Sequence, residues 1–297
     1  MRAFAVLLAC CASLFTSAIL AQEVNWDQVD SVFQRKGTVS EDVHRYGFPR
    51  TDLNVTVDGV AIRPTLALGG WVAFKPAHGQ ASIMGDLVLL ENEIAPVMNK
   101  LLEGGVEITA IHNHLLRASP ATFYMHVGGH GDAIKLANTI RTALGESKTP
   151  FGAPPGTAGA PPAGVDLDVA KIDETIGAKG QANGGVYQIN VPRRDAVTHE
   201  GMQVSPAGPL GVATAINFQP TGSGKAAITG DFVLVAEEVN PVVKALRANN
   251  IEVTAIHSHM LSEQPRLIFL HFWANDDALK LAQGLRDALD KTARAKS

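Results

Sequence analysis

The chain has 297 residues, with 25 basic and 29 acidic side chains and a net charge of −4. No basic run or aromatic-interleaved basic patch is present, which excludes nucleic acid as an expected partner. Both cysteines, Cys10 and Cys11, lie in an apolar N-terminal stretch. Beyond it there are no disulfides or thiolate metal sites, and any metal has to rest on nitrogen and oxygen ligands.

Residues 1–21 read as a secretory signal. Arg2 is the lone charge, Ala3 to Leu20 is almost wholly apolar, and Ala21 is small enough for a cleavage site. A competing reading anchors the chain by a lipid on Cys10. The apolar region before Cys10 is very short, however, and Leu8 is bulky for such a box. The expected product is periplasmic or secreted, and no later stretch is long and apolar enough to span a membrane.

Two repeats follow, 22–145 and 168–297, with 146–167 between them. That connector is rich in Pro, Gly and Ala, cannot bury a core, and is expected to be an extended linker. In the first repeat, Trp26 to Arg35 predicts a short amphipathic helix. Strand signals surround Trp71 to Phe74 and Gly85 to Leu90. A helix is expected next, with Pro96 in its first turn, Glu93 favouring its dipole and Gly104-Gly105 at its end. A His-x-His strand, a loop with Pro120, a second strand and a closing helix complete the unit. Ile134, Ala137, Ile140 and Leu144 fall on one face of that helix.

The second repeat runs in the same order. Its helix is expected over Val169 to Ile176, and its strands over Thr214 to Phe218 and Gly230 to Val235. The turn Thr221-Gly-Ser-Gly224 joins those strands and is not a nucleophile motif. Glu238, Pro241 and Asn249-Asn250 match their counterparts. The predicted fold is therefore α+β: a tandem duplication, each half about β-β-α-β-β-α, with helices on one face of a mainly antiparallel sheet and a pseudo-twofold arrangement of halves.

The duplication is sharpest from Gly85 to Leu144, which recurs without a gap as Gly230 to Leu289 with 25 of 60 positions identical. Six of the ten histidines fall into three matched pairs: His112 with His257, His114 with His259, and His126 with His271. Neighbouring apolar positions drift between copies while these do not. On a strand, residues two apart share a face, so His112 and His114 should lie on one side with Ala110 and Ile108. On the following strand, Thr122, Tyr124 and His126 oppose the apolar Phe123, Met125 and Val127. Pairing Ala110 with His126 would set His126 diagonally beside His112, within reach of a shared ion.

Three neutral imidazoles and an open position suit a catalytic divalent metal, Zn²⁺ first, with copper or iron as alternatives. Asp86, Asp231, Glu107 and Glu252 recur and can orient the rings. The plain alternative is that the histidines only hydrogen-bond across an interface. His130, found in copy one only, and Glu107 are the candidate catalytic bases. The more polar surroundings of copy one suggest that it holds the chemistry. Phe269 and Trp273 suit copy two to stacking.

Other positions carry less. Asp132 and Asp277 read as helix N-caps, and Lys135 and Lys280 as solvated. Arg50 and Arg193 suggest an anion clamp or a surface pair. His44, His78 and His199 are expected to be exposed. No phosphate-binding loop, nucleophile elbow or dinucleotide fingerprint is present.

The Glu-[Ile/Val]-Thr-Ala-Ile-His-[Asn/Ser]-His block, its downstream Pro and His, and the twofold repeat resemble the LppY/LpqO-like family of exported bacterial proteins. The resemblance covers essentially the whole chain after the signal and implies export and duplication. It implies no catalytic roles. Some members look like lipoproteins, and the poor box around Cys10 is where this chain departs. The expected function is divalent-metal binding with action on a small substrate, hydrolytic or of another type. The alternative is a non-catalytic envelope module that binds a small molecule or partner in a groove between repeats, lined by Tyr124, Phe269 and Trp273.

Overall fold

The computed structural model describes residues 23–77, 79–151, 164–205 and 208–294. The signal reading, Cys10, Cys11, His78 and most of the linker lie outside these residues. In the first half, α1 (Trp26–Phe33) precedes β1 (Thr38–Ser40), β2 (Val43–Pro49) and the small hairpin β3 (Thr56–Val57) and β4 (Val60–Ala61). A short α2 (Pro64–Ala67) leads to the long β5 (Gly69–Ala77) and β6 (Gln80–Leu90), followed by α3 (Glu91–Glu103), β7 (Glu107–His112), β8 (Thr122–Gly131) and α4 (Ala133–Leu144).

The second half repeats this as α5 (Val169–Ile176), β9 (Gly180–Asn183), β10 (Val186–Val191), the hairpin β11 (Val197–His199) and β12 (Met202–Val204), then β13 (Thr214–Gly222) and β14 (Lys225–Leu234). It closes with α6 (Ala236–Ala248), β15 (Glu252–His257), β16 (Ile268–Asp277) and α7 (Ala278–Leu289).

Each half forms a six-stranded sheet in which every pairing is antiparallel. The orders are β1-β2-β5-β6-β8-β7 and β15-β16-β14-β13-β10-β9. The α+β duplication expected from the sequence is therefore present, with two more strands in each sheet than its periodicity indicated. Those extra strands, β1 and β2 or β9 and β10, are short or mixed in character and give weak alternation signals.

Helices cover one face of each sheet. Phe33, Phe48, Val72, Ile83, Leu87, Val97, Met125, Val127 and Ile140 belong to the first helix-side core. Ile172, Ile216, Phe218, Ile228, Phe232, Leu270, Phe272 and Leu285 belong to the second. The opposite faces carry apolar clusters drawn from both halves. One joins Val43, Ala73 and Met84 to Val233, Met260 and Phe269. The other joins Val55, Leu66 and Tyr124 to Val186, Ala227 and Trp273. The result is a helix–sheet–sheet–helix stack in which the inner faces of the sheets meet.

Helix ends follow the local chemistry. Asp132 accepts from the Lys135 N–H at 2.7 Å, and Asp277 from the Lys280 N–H at 2.9 Å, so both are N-caps as expected. Gly105 (φ 81°) and Asn250 (φ 58°) follow α3 and α6 in left-handed geometry. Pro96 and Pro241 do not sit in a first turn, because α3 and α6 begin five residues earlier. Glu93 and Glu238 set those earlier starts by accepting from the Leu90 and Val235 N–H groups at 2.9 and 3.0 Å.

These glutamates also explain Arg50 and Arg193, which are neither an anion clamp nor a surface pair. Arg50 is fully buried and donates to Glu93 at 2.7 and 3.1 Å, to the Val88 carbonyl at 2.8 Å, and to Asp52. Arg193 repeats this with Glu238 at 2.6 Å and the Val233 carbonyl at 2.8 Å. Burial alone would lower the Arg50 guanidinium, but its bonds to Asp52 and Glu93 outweigh that and hold it above its ordinary value. Each ion pair ties the chain just after β2 or β10 to the end of β6 or β14, two strands away in the sheet, and to the first turn of the helix that follows it. Arg50→Leu should cost about 3–5 kcal/mol in urea unfolding, the scale for stranding one partner of a buried pair. Adding Glu93→Gln, which keeps an acceptor for Leu90, should recover part of that loss. No recovery would show that the charge pair is not the cause.

Candidate metal centre

The centre is built from parity. In β8, alternate residues face opposite ways: Met125 and Val127 enter the helix-side core, while Tyr124 and His126 face the other sheet. Ala110 does pair with His126, and Ala255 with His271. Ile108, however, does not share a face with His112. The register shifts between Ile108 and Ala110, and again between Val253 and Ala255. That β-bulge at Thr109 and Thr254 leaves Ile108 and Val253 against the helix-side cores and turns the following histidines to the inner face.

The freed threonines then bridge the halves. Thr109 Oγ1 donates to the His259 carbonyl at 2.6 Å, and Thr254 Oγ1 to the His114 carbonyl at 2.6 Å. The small hairpins hold the loops that follow. Thr56 and Ser119 exchange backbone bonds of 3.0 and 2.9 Å, and Thr198 and Gln264 do so at 2.8 Å each way.

Asp86 and Asp231 lie opposite His126 and His271 in the strand register. Asp86 is 3.7 Å from His114 Nε2 and 3.9 Å from His126 Nε2. Asp231 is 3.3 Å from His259 Nε2 and 3.8 Å from His271 Nδ1. The glycine before each aspartate permits close strand contact. A Cβ on Gly230 would stand 1.9 Å from the Ala215 carbonyl oxygen, and one on Gly85 2.8 Å from that of Trp71. The Gly230 carbonyl lies 2.8 Å from His271 Nδ1 and fixes that ring.

The two triplets do not form two separate sites. They interleave across the pseudo-twofold axis. Ring centroids of His112 and His257 are 3.5 Å apart; those of His114 and His271, 3.7 Å; and those of His126 and His259, 3.8 Å. His112 Nε2 and His271 Nε2 approach to 3.2 Å. Tyr124 stacks on His114 at 3.3 Å and Phe269 on His259 at 3.4 Å, which closes the cluster at both ends. Among the described residues, four three-residue groups have ligand atoms within 4.8 Å of one another: His112/His114/His126, His112/His257/His271, His126/His257/His259 and Asp231/His259/His271.

Polar atoms in this volume go unpaired. Asp86 Oδ1, Asp231 Oδ1, His112 Nδ1, both nitrogens of His257, and Nε2 of His114, His126 and His259 are buried without a hydrogen-bond partner. Burial, then repulsion from neighbouring imidazoles, holds the rings neutral. His126 is pushed down to about 3 and His257 to about 2, with His112, His114 and His259 also lowered. His271 falls to about 4 through burial, against an opposing bond to Gly230. Burial lifts Asp86 to about 8 against the opposing charge of Arg45, and lifts Asp231 well above the carboxylate range. Neutral imidazoles with free lone pairs are the form that binds metal.

A protein-family model described as a Domain of Unknown Function (DUF1259) matches residues 27–146 and 170–291, once in each half. The chain belongs to the DUF1259 family. Comparison with curated proteins gives no match. Among solved structures, a trimeric bacterial microcompartment shell protein, PduB, matches at 13% identity over 87% of this DUF1259 chain and 91% of that one. The TM-score of that match is 0.22.

The catalytic candidates lie away from the cluster. His130 is exposed, four residues beyond His126 along β8, with Nδ1 3.1 Å from Ser82 Oγ. Glu107 is exposed on the edge strand β7, and Glu252 pairs with Arg117 at 2.7 Å, so neither orients an imidazole. Trp273 donates to Asp58 at 3.1 Å and, with Asp58, Arg117, Glu252 and Asp276, lines an open cleft between the halves, as expected for a groove there, whereas Tyr124 and Phe269 are buried against the histidines. His44 stacks on Trp26 at 3.6 Å, and His199 lies 3.3 Å from Ser262. The threonine bridges were missed from sequence. Their signal was the parity conflict between apolar Ile108 and polar His112 on one strand.

The shifts imply a pH optimum for the chain kept in chelator. Unfolded histidines protonate near pH 6.5, whereas the buried ones resist until far lower. The folded state therefore binds fewer protons, and stability is lost as pH falls from about 6.5. Asp86 and Asp231 act oppositely, because burial keeps them protonated where unfolded carboxyls have ionised; that contribution is lost as pH rises, for Asp86 through about 8. Melting temperature from pH 4.5 to 9 should peak near neutrality and fall most steeply on the acid side. A flat profile between pH 7 and 5 would contradict the buried, neutral state of the rings.

Proposed function

We propose that this protein binds divalent metal at one centre formed jointly by its two halves, and that it acts there on a small substrate, by hydrolysis, outside the cytoplasm. The observation that carries the reading is the set of eight unpaired buried atoms on Asp86, Asp231 and five histidines. At about 1–3 kcal/mol for each unsatisfied buried group, their combined cost matches or exceeds the about 5–15 kcal/mol of net stability of a folded domain. An ion among them removes that cost by using the same lone pairs. Carboxylates beside the rings orient them, as at metal-bound histidines elsewhere.

An all-imidazole and carboxylate donor set suits Zn²⁺, with copper and iron as alternatives. A metal-bound water of lowered pKa would supply the nucleophile for hydrolysis. Secretion to the periplasm or beyond follows from the residue 1–21 signal reading. No helix among the described residues is long and apolar enough to cross a membrane.

One observation favours the second reading, a non-catalytic envelope module that binds a partner or small molecule. Ile111, Leu116, Ile256 and Leu261 are exposed by 37–59% and flank the His-x-His segments in matched pairs. The two readings separate on metal. Metal-depleted protein should gain several degrees of melting temperature with excess Zn²⁺, the scale for about 2.7 kcal/mol of linkage at a hundredfold excess over Kd. His112→Ala and His271→Ala should each lose a similar part of that gain, because their Nε2 atoms, one from each half, lie 3.2 Å apart within the cluster. No gain with Zn²⁺, Cu²⁺ or Fe²⁺ would leave the histidines a packing role and favour the second reading.

A further inference from the structure

We infer that the centre holds two divalent ions at once, one on each side of the pseudo-twofold axis, and that the ion pair takes a small oxyanion. This rests on the metal-binding reading above and goes beyond it in stoichiometry and ligand class. Of the four convergent groups, only one pairing shares no residue: His112/His114/His126 with Asp231/His259/His271. Each of these comes wholly from one half. Two ions can therefore be held together without any ring serving both, and no other choice of two groups permits that.

The two groups open into one volume. His112 of the first and His271 of the second have their Nε2 atoms 3.2 Å apart. With ligand distances of about 2.0–2.1 Å, the ions lie no more than roughly 7 Å apart even if both nitrogens fall between them. Contraction around the ions brings this toward the about 3.5–4 Å of two-metal sites. His257 belongs to neither group, lies 3.5 Å from His112, and has both ring nitrogens unpaired. It is placed to complete either coordination shell. Asp86, between His114 and His126, stands beside the first ion as Asp231 stands beside the second.

Charge then sets the ligand class. Two dications outweigh the two buried carboxylates, and the six rings are neutral. The net positive charge lies where water is largely excluded, so an anion is needed to balance it. A small oxyanion bridging the ions supplies that charge and two donor oxygens.

The test is metal content by elemental analysis of the full chain after reconstitution with Zn²⁺ and removal of excess, then calorimetric titration with inorganic phosphate. We expect two ions per chain, and phosphate binding by the two-ion form but not by metal-depleted protein. His114→Ala and His259→Ala should each retain one ion, since each leaves the other group intact. If either fails to keep its circular dichroism spectrum, Asp231→Asn, nearly the same shape, reads the second site instead. One ion in the wild type, or none in all single variants, would overturn the two-ion assignment and leave a single composite centre. Two ions without phosphate binding would overturn the oxyanion assignment. No ion in the wild type would remove the metal-binding reading itself.

Discussion

Dry imidazoles meeting across an internal twofold axis are the constraint on which the rest of the structure depends. Both sheets are closed on one face by helices, so their remaining faces can only be buried against each other. Apolar clusters on either side of the axis do this conventionally. Between them lie six histidines and two aspartates that no apolar contact can satisfy. Around them, the structure supplies unusual order: a bulge in each edge strand, a cross-half threonine bond on each side, and an aromatic ring stacked on each outer histidine. A core formed only for stability would not retain so many polar atoms at such cost.

Duplication made this possible. A single repeat would present three histidines and one aspartate on an open sheet face, with little to hold the rings in place. Two repeats face to face enclose them and position each set against the other. The Arg50 and Arg193 ion pairs hold the frame behind the centre, because each fixes the end of β2 or β10 to β6 or β14, two strands away, and to the start of the helix that follows. The centre is thus a property of the interface, and neither half contains it alone.

Much of this was legible in the sequence where the signal was local. Alternation along Thr122 to Val127 separated the helix face from the histidine face, and the Ala110–His126 pairing, which alternation alone left as a condition, is present. Asp132 and Asp277 declared themselves as caps. What depended on distant chain segments was not legible. The merging of two triplets into one cluster is set by sheet-on-sheet docking, which leaves no periodic trace. The burial of Arg50 and Arg193 depends on glutamates some forty residues away. The bulge at Thr109 was visible only as a conflict, an apolar Ile108 and a polar His112 at the same strand parity, and that conflict marked the functional strand.

The central claim is that these rings bind metal directly, as a group drawn from both halves. X-ray absorption at the zinc edge of Zn²⁺-loaded protein tests it most directly. The account predicts nitrogen and oxygen neighbours at about 2.0–2.1 Å, with outer-shell scattering from several imidazoles that diminishes in both His112→Ala and His257→Ala. An oxygen-only shell without imidazole scattering, unchanged by either substitution, would contradict it.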